Sequence, residues 1–350
     1  RLVHLFEREG SLSLRHRTAI EEAPAPGLSH PMRERLTEAA LAVAEAAGYV
    51  GSGTADFLIA GDQLWFLGLK TRLDAGCAAT EAVLGLDLVR MQLEVAEGRP
   101  VPVEARHCSP SGHAVAAHLL ATDPAGVAAG GVSPDRPRLR RFDIGPAAGV
   151  RVETGLAAGA AAPPRDHVVL ATVVAQAATR AEAVHRLAAA LEGARIHGVS
   201  SNREELVAIL RHPAFLAGEI DTAFFDRHAS TLGSARGGLE AVRVHAVAAA
   251  LAGRPRPSSG STVFRGPDGQ RVEVRYRVDP MTGGVTDGEV NGVPLPGLRV
   301  GDAGPAAVDV EIGGLRRRVS VVRTGDIVDC DSRLGHTELA VLQICETLDT

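Results

Sequence analysis

At 350 residues, 45% hydrophobic and 23% charged, the chain is long enough for two or three globular domains. A formal net charge of −5 excludes a broad nucleic-acid-binding surface, which needs a clustered positive field. No run of about 20 apolar residues is present to span a membrane, and four cysteines without CxxC or metal-ligand spacing read as free thiols of a cytoplasmic protein.

The chain opens on Arg1 without a Met and inside a strand pattern, so it reads as a fragment or a processed product. Residues 2–6 have strand composition, and the alternation over 11–20 predicts a second strand. The two prolines of Glu21-Glu-Ala-Pro-Ala-Pro-Gly27 break regular structure, and 31–47 have the spacing of an amphipathic helix. Strands follow up to Ile59 and from Leu64, with Trp65 expected in the core, joined by a turn at Gly61-Asp62. Thr80 to Gly98 reads as one helix.

From about 106 the pattern predicts strands at 112–120, 139–142, 150–154 and 168–175 and helices at 180–191 and 202–211. Residues 237–252 form an apolar helix with few charges, so it should be buried on most sides. After Pro255, short alternating strands separated by Gly/Asp turns predict a β-meander or barrel, with the preceding helix as its plug.

One polar loop stands out. The apolar strand Leu64–Leu69 runs into Lys70, the only lysine in the chain, followed by Arg72, Asp74 and Cys77. The partner strand carries Asp56. Two strands ending in a polar loop are a common setting for a site.

The first 228 residues resemble biotin carboxylase, more closely the α chain of biotin-dependent acyl-CoA carboxylases. The strings that carry this are Phe6-Glu-Arg-Glu, Arg15-His16, Glu21-Glu-Ala-Pro-Ala-Pro-Gly27, Gly48-Tyr-Val-Gly-Ser-Gly-Thr54, Thr71-Arg72-Leu73, Gly85-Leu-Asp-Leu-Val89, Arg141-Phe142-Asp143, Ser201-Asn202-Arg203 and His212-Pro-Ala-Phe, in family order. The final strands and Ser332-Arg-Leu-Gly-His-Thr-Glu-Leu339 are similar to the region that precedes the biotinyl domain and docks the carboxyltransferase subunit. The resemblance implies an α+β fold: a partial ATP-grasp module over 1–105, a biotin-carboxylase C-terminal module over 106–228, and a linker helix with an antiparallel β-barrel over 229–350. It also implies an ATP-grasp first half before Arg1 and a biotinyl domain after Thr350, neither of which is in this sequence.

The same comparison exposes departures. Where the family loop reads Glu-Met-Asn-Thr-Arg-Leu-Gln-Val-Glu-His, this chain has Gly68 at the first Glu, Lys70 at the Asn, Asp74 at the Gln, Gly76 at the second Glu and Cys77 at the His. The strand carboxylate is Asp56, Thr18 replaces a lysine, and His118 replaces the arginine implied to stabilise the biotin enolate. The resemblance assigns metal binding on ATP and proton abstraction from bicarbonate to positions of which Gly68 and Lys70 offer no oxygen ligand and Gly76 no base.

Six residues remain candidates for a site: Asp56, Lys70, Arg72, Asp74, His118 and His16. Lys70 either neutralises Asp56 in place of a cation or anchors a ligand. Arg72 either binds an anion or pairs with Asp56 or Asp74. His16 and His118 are either an acid/base pair or retained framework, and Cys77 either a nucleophile or an inert thiol. Two functions follow, both without cofactor or metal. One is a non-catalytic carboxylase subunit or scaffold, self-associating as a homodimer and docking a carboxyltransferase-like partner through the barrel. The other is a repurposed cyclase or isomerase of secondary metabolism, with an apolar acyl or polyketide-like substrate in the vacated cleft.

Overall fold

The computed structural model describes residues 2–14, 17–122, 138–157, 159–160, 169–233, 238–254, 259–267, 269–279 and 281–346. Residues 2–6 do not make the expected strand. Phe6 takes a left-handed backbone, φ 63°, which turns the chain, and the first pairing is a bridge from Glu9 to Glu22. The expected strand over 11–20 is instead a small hairpin, β1 (Ser13–Leu14) against β2 (Arg17–Thr18), followed by β3 (Ile20–Ala23).

Helix α1 (His30–Ala46) starts where Ser29 Oγ accepts the Met32 amide, with Pro31 in its first turn. Strands β4 (Thr54–Ala60) and β5 (Gln63–Lys70) pair antiparallel through Gly61. They form a two-stranded sheet, so Trp65 is 46% exposed and not the core residue its strand pattern predicts. The single helix expected over 80–98 is two, α2 (Cys77–Leu84) and α3 (Leu88–Ala96). Gly85 ends the first in the left-handed region, φ 66°, and Asp87 caps the second. A short α4 (Val103–Arg106) follows.

The next segment holds β6 (His113–Leu120), β7 (Arg141–Asp143), β8 (Val150–Glu153), β9 (Val169–Ala177), α5 (Arg180–Gly193), β10 (Arg195–His197), α6 (Arg203–Arg211), α7 (Pro213–Leu216) and α8 (Phe224–Gly233). Its antiparallel sheet has the order β3-β6-β9-β8, so residues 20–23 fold with this segment and not only with their neighbours in sequence. β6 and β9 are buried along nearly their whole length, which is why they read as continuous apolar runs. The core there is assembled from small aliphatic residues with Phe215 and Phe224 as its largest side chains.

In the last segment α9 (Leu239–Leu251) precedes β11 (Gly260–Arg265), β12 (Arg271–Val278), β13 (Val285–Val290), β14 (Val293–Pro294), β15 (Arg299–Ala303), β16 (Ala307–Ile312), β17 (Leu315–Thr324), β18 (Ile327–Ser332) and β19 (Gly335–Glu346). These strands form one nine-stranded antiparallel sheet in the order β14-β13-β12-β11-β19-β18-β17-β16-β15. The sheet is not a closed barrel: β14 and β15 are unpaired edges among the described residues. β14 is only two residues long and ends in Pro294, which has no N–H to donate. β15 carries a register shift between Val300 and Ala303. Helix α9 packs against β11–β13 and β16–β19, and its buried face from Ala241 to Leu251 completes a second apolar core.

Candidate functional site

The polar loop and the β4–β5 hairpin are tied together by an ion-pair chain. Lys70 and Thr54 are register partners, as are Asp56 and Gly68, which brings the β4 carboxylate beside the β5 lysine. Lys70 Nζ lies 2.9 Å from Asp56 Oδ2 and 3.7 Å from Asp74 Oδ2. The other Asp74 oxygen accepts from Arg8 Nη2 at 3.0 Å. Arg8 Nε donates to Glu21 Oε2 at 3.0 Å, and its Nη1 to Thr80 Oγ1 at 3.0 Å. One guanidinium thereby fastens β3, the loop and the start of α2.

Glu21 occupies the space that a side chain at position 76 would need. A Cβ on Gly76 would lie 1.4 Å from Glu21 Oε2 and 2.3 Å from its Cδ. Burial holds the Glu21 carboxyl above its usual range, against the pull of the Arg8 guanidinium, and Asp74 pushes the same way as burial. Beside it, Glu22 is clamped by Arg180, with Nε donating to Oε2 at 2.6 Å.

Of the six candidates, the structure brings Asp56, Lys70 and Asp74 together. Arg72 does not join them. It is exposed, and its guanidinium donates to the Leu73 carbonyl at 3.1 Å, so the expected pairing with Asp56 or Asp74 is taken by Lys70 and Arg8. His118 is 4% exposed, with Nδ1 3.3 Å from Thr172 Oγ1. Burial pushes this histidine down to about 4, so it is neutral near neutral pH. His16 lies outside the described residues. The Cys77 thiol is driven up to about 11, by burial first and then by the Glu81 carboxylate, which leaves it a poor nucleophile.

The residues that sequence reasoning passed over are Arg8 and Glu21. Both sit inside strings that carried the resemblance, yet their contacts span 13 to 72 positions and require the fold. Two cavities lie away from the loop: about 360 Å³ beside Phe6, Leu41 and Cys108, and about 140 Å³ beside Val244, Leu295 and Leu315. None of the five described candidates lines either one.

Residues 1–104 match the family model described as carbamoyl-phosphate synthase L chain, ATP binding domain, and residues 125–227 the one described as biotin carboxylase C-terminal domain. The chain is 34% identical over 228 residues to a biotin carboxylase of Halalkalibacterium halodurans, covering 65% of this chain and 49% of that protein. It is 36% identical over 232 residues to the mitochondrial methylcrotonoyl-CoA carboxylase subunit alpha of Dictyostelium discoideum, covering 66% of this chain and 33% of the other. Among solved structures, the biotin carboxylase subunit of a pyruvate carboxylase is similar at TM-score 0.59 and 29% identity, over 66% of this chain and 50% of that one. A complete multifunctional pyruvate carboxylase from Rhizobium etli is similar at TM-score 0.62 and 29% identity, over 73% of this chain and 26% of that one. The chain thus spans about half or less of the length of these relatives.

Proposed function

We propose that this chain, biotin carboxylase-like over residues 1–227, is a non-catalytic subunit of a carboxylase-type assembly in the cytoplasm. The observation that carries this reading is the position of the Lys70 ammonium, 2.9 Å from Asp56 and 3.7 Å from Asp74. A divalent cation on ATP needs hard oxygen ligands. Here one strand offers a carboxylate already paired to an ammonium, and its register partner is Gly68, which has no side-chain donor. The residues present do not fit a metal. The space beyond the loop is equally committed, because the Glu21 carboxylate fills the position that a base at residue 76 would use. His118 adds no cation to stabilise an enolate.

A paired lysine, a space-filling carboxylate and a neutral buried histidine leave a site that is internally satisfied. Such a site holds the module together and does not receive a substrate. The partner we infer is a carboxyltransferase-type subunit, met by the C-terminal sheet. The test mixes the full chain with that subunit from the same source and measures mass by light scattering after gel filtration. A stable complex is expected, and the same run reads whether the chain alone is a homodimer. MgATP in large excess over a micromolar Kd would stabilise a binding-competent chain by about 3 kcal/mol, so a clear rise in Tm on its addition would overturn the reading.

A further inference from the structure

The sequence places two alternating strands, β18 and β19, where they put Asp329, Asp331 and His336 on one side, and the structure docks that side on the middle segment. His197 of β10 enters between the two carboxylates. Its Nε2 lies 2.8 Å from Asp331 Oδ2 and its Nδ1 3.8 Å from Asp329 Oδ2. His336 stacks on it, centroids 5.0 Å apart, with Nδ1 3.3 Å from Asp331 Oδ1 and Nε2 3.4 Å from Asp329 Oδ1. An ionised carboxylate only accepts, so His336, which faces one with each nitrogen, has to donate from both and is an imidazolium.

Arginines complete the joint. Arg140 Nη2 donates to Asp329 Oδ1 at 2.9 Å and to Glu338 Oε2 at 2.5 Å. Arg195 Nε and Arg203 Nη1 lie 3.7 and 3.9 Å from the Asp331 oxygens, and the His336 amide donates to Glu204 Oε1 at 3.3 Å. Asp329, Asp331 and His197 side chains are each 1% exposed. The middle segment therefore presents Arg140, Arg195, Arg203 and His197, and the sheet presents Asp329, Asp331 and Glu338.

His197, Asp331 and His336 are also residue types that bind metals, with ligand atoms within 4.8 Å of one another. Their geometry speaks against it. The two rings are nearly parallel, 16° apart, so their in-plane lone pairs do not converge on one point, and two arginines stand within 4 Å of the carboxylate.

Among the described residues the apolar cores do not cross this joint. One cluster is built from residues 12–232 and the other from residues 242–341, with no shared member. Apolar burial thus holds each body together and ion pairs hold one to the other. We propose that residues 239–346 form a separable body that leaves the middle segment as one piece, and that the Asp329/Asp331 ion-pair cluster is the catch that seats it. The catch fixes where the sheet points when a partner meets it.

The test is hydrogen exchange on the full chain, read as protection factors at one pH in low salt and in about 1 M salt. Amides of 195–204 and 335–338 are expected to lose about tenfold or more in protection together at high salt, while helix α9 keeps its protection. Arg140→Glu should produce the same loss at low salt, and adding Glu338→Arg should restore part of it, because Asp329 still faces the new carboxylate. If Arg140→Glu does not fold, Arg140→Gln serves, with a smaller loss. Loss of α9 protection in step with the joint would show a single folding unit and overturn the proposal. So would protection indifferent to both salt and Arg140 substitution, failure of the charge swap to restore any of it, or stoichiometric zinc binding that raises it.

Discussion

Substituting Gly76 by alanine should cost stability far beyond what one methyl group costs on an ordinary loop. The new Cβ would lie 1.4 Å from Glu21 Oε2, so the carboxylate has to leave. Moving it away breaks the 3.0 Å bond from Arg8 Nε, between side chains 15% and 10% exposed. Breaking a largely buried ion pair costs about 3 kcal/mol. Arg8 keeps Asp74 and Thr80, which lowers the figure to about 2 kcal/mol. In a folding unit of this size that is a fall in Tm of about 4–8 °C. The assay is thermal and urea unfolding of Gly76→Ala, Glu21→Ala and the double variant. With Glu21 already truncated the clash disappears, so Gly76→Ala should add less than about 0.5 kcal/mol in that background. A Gly76→Ala protein as stable as the parent would refute the packing argument, as would an equal loss in both backgrounds.

Two histidines give opposite pH limbs. His118 is held near 4 in the folded chain against 6.5 unfolded, so the unfolded state takes the proton first, and stability present above 6.5 is lost as pH falls toward 4. His118→Gln should flatten that acid limb in urea titrations. For His336, burial alone would lower the value, but hydrogen bonds to Asp329 and Asp331 raise it to about 9. Its contribution is full below 6.5 and is lost as pH rises through 9, and His336→Gln should remove that alkaline loss. Thiol labelling offers a further check: exposed Cys345 should react with iodoacetamide in minutes at mildly alkaline pH, whereas Cys77 and the fully buried Cys330 should react only on unfolding. Native-state modification of Cys77 at the rate of Cys345 would contradict its raised thiol.

Helices with a clear apolar spacing were legible: α1, α5, α6 and α9 lie where periodicity puts them. So were β4, β5, β6 and the alternating C-terminal strands. The single helix over 80–98 failed because one residue, Gly85, outweighs the apolar periodicity on either side of it. Trp65 failed because alternation says which residues share a face and not whether anything covers it. At the site, Lys70 beside Asp56 follows from strand pairing, and its role as a neutraliser was one of the two readings the residues allowed. The Arg8–Glu21 clamp was not legible, since no local spacing links position 8 with 21, 74 and 80. The barrel was an inference from strand number and turn spacing, and neither quantity says whether the last strand finds the first.

An unclosed sheet of nine strands has two rims, and each one bears on how copies of the chain behave at high concentration. A long, flat rim offers a row of amides and carbonyls on which another chain can build. At one rim Val293–Pro294 is too short and lacks one donor; at the other the bulged Arg299–Ala303 bends away and carries Arg299 and Asp302. Among the described residues, neither end offers a long template for strand-by-strand stacking, which lets the sheet remain open with little tendency to seed fibrils.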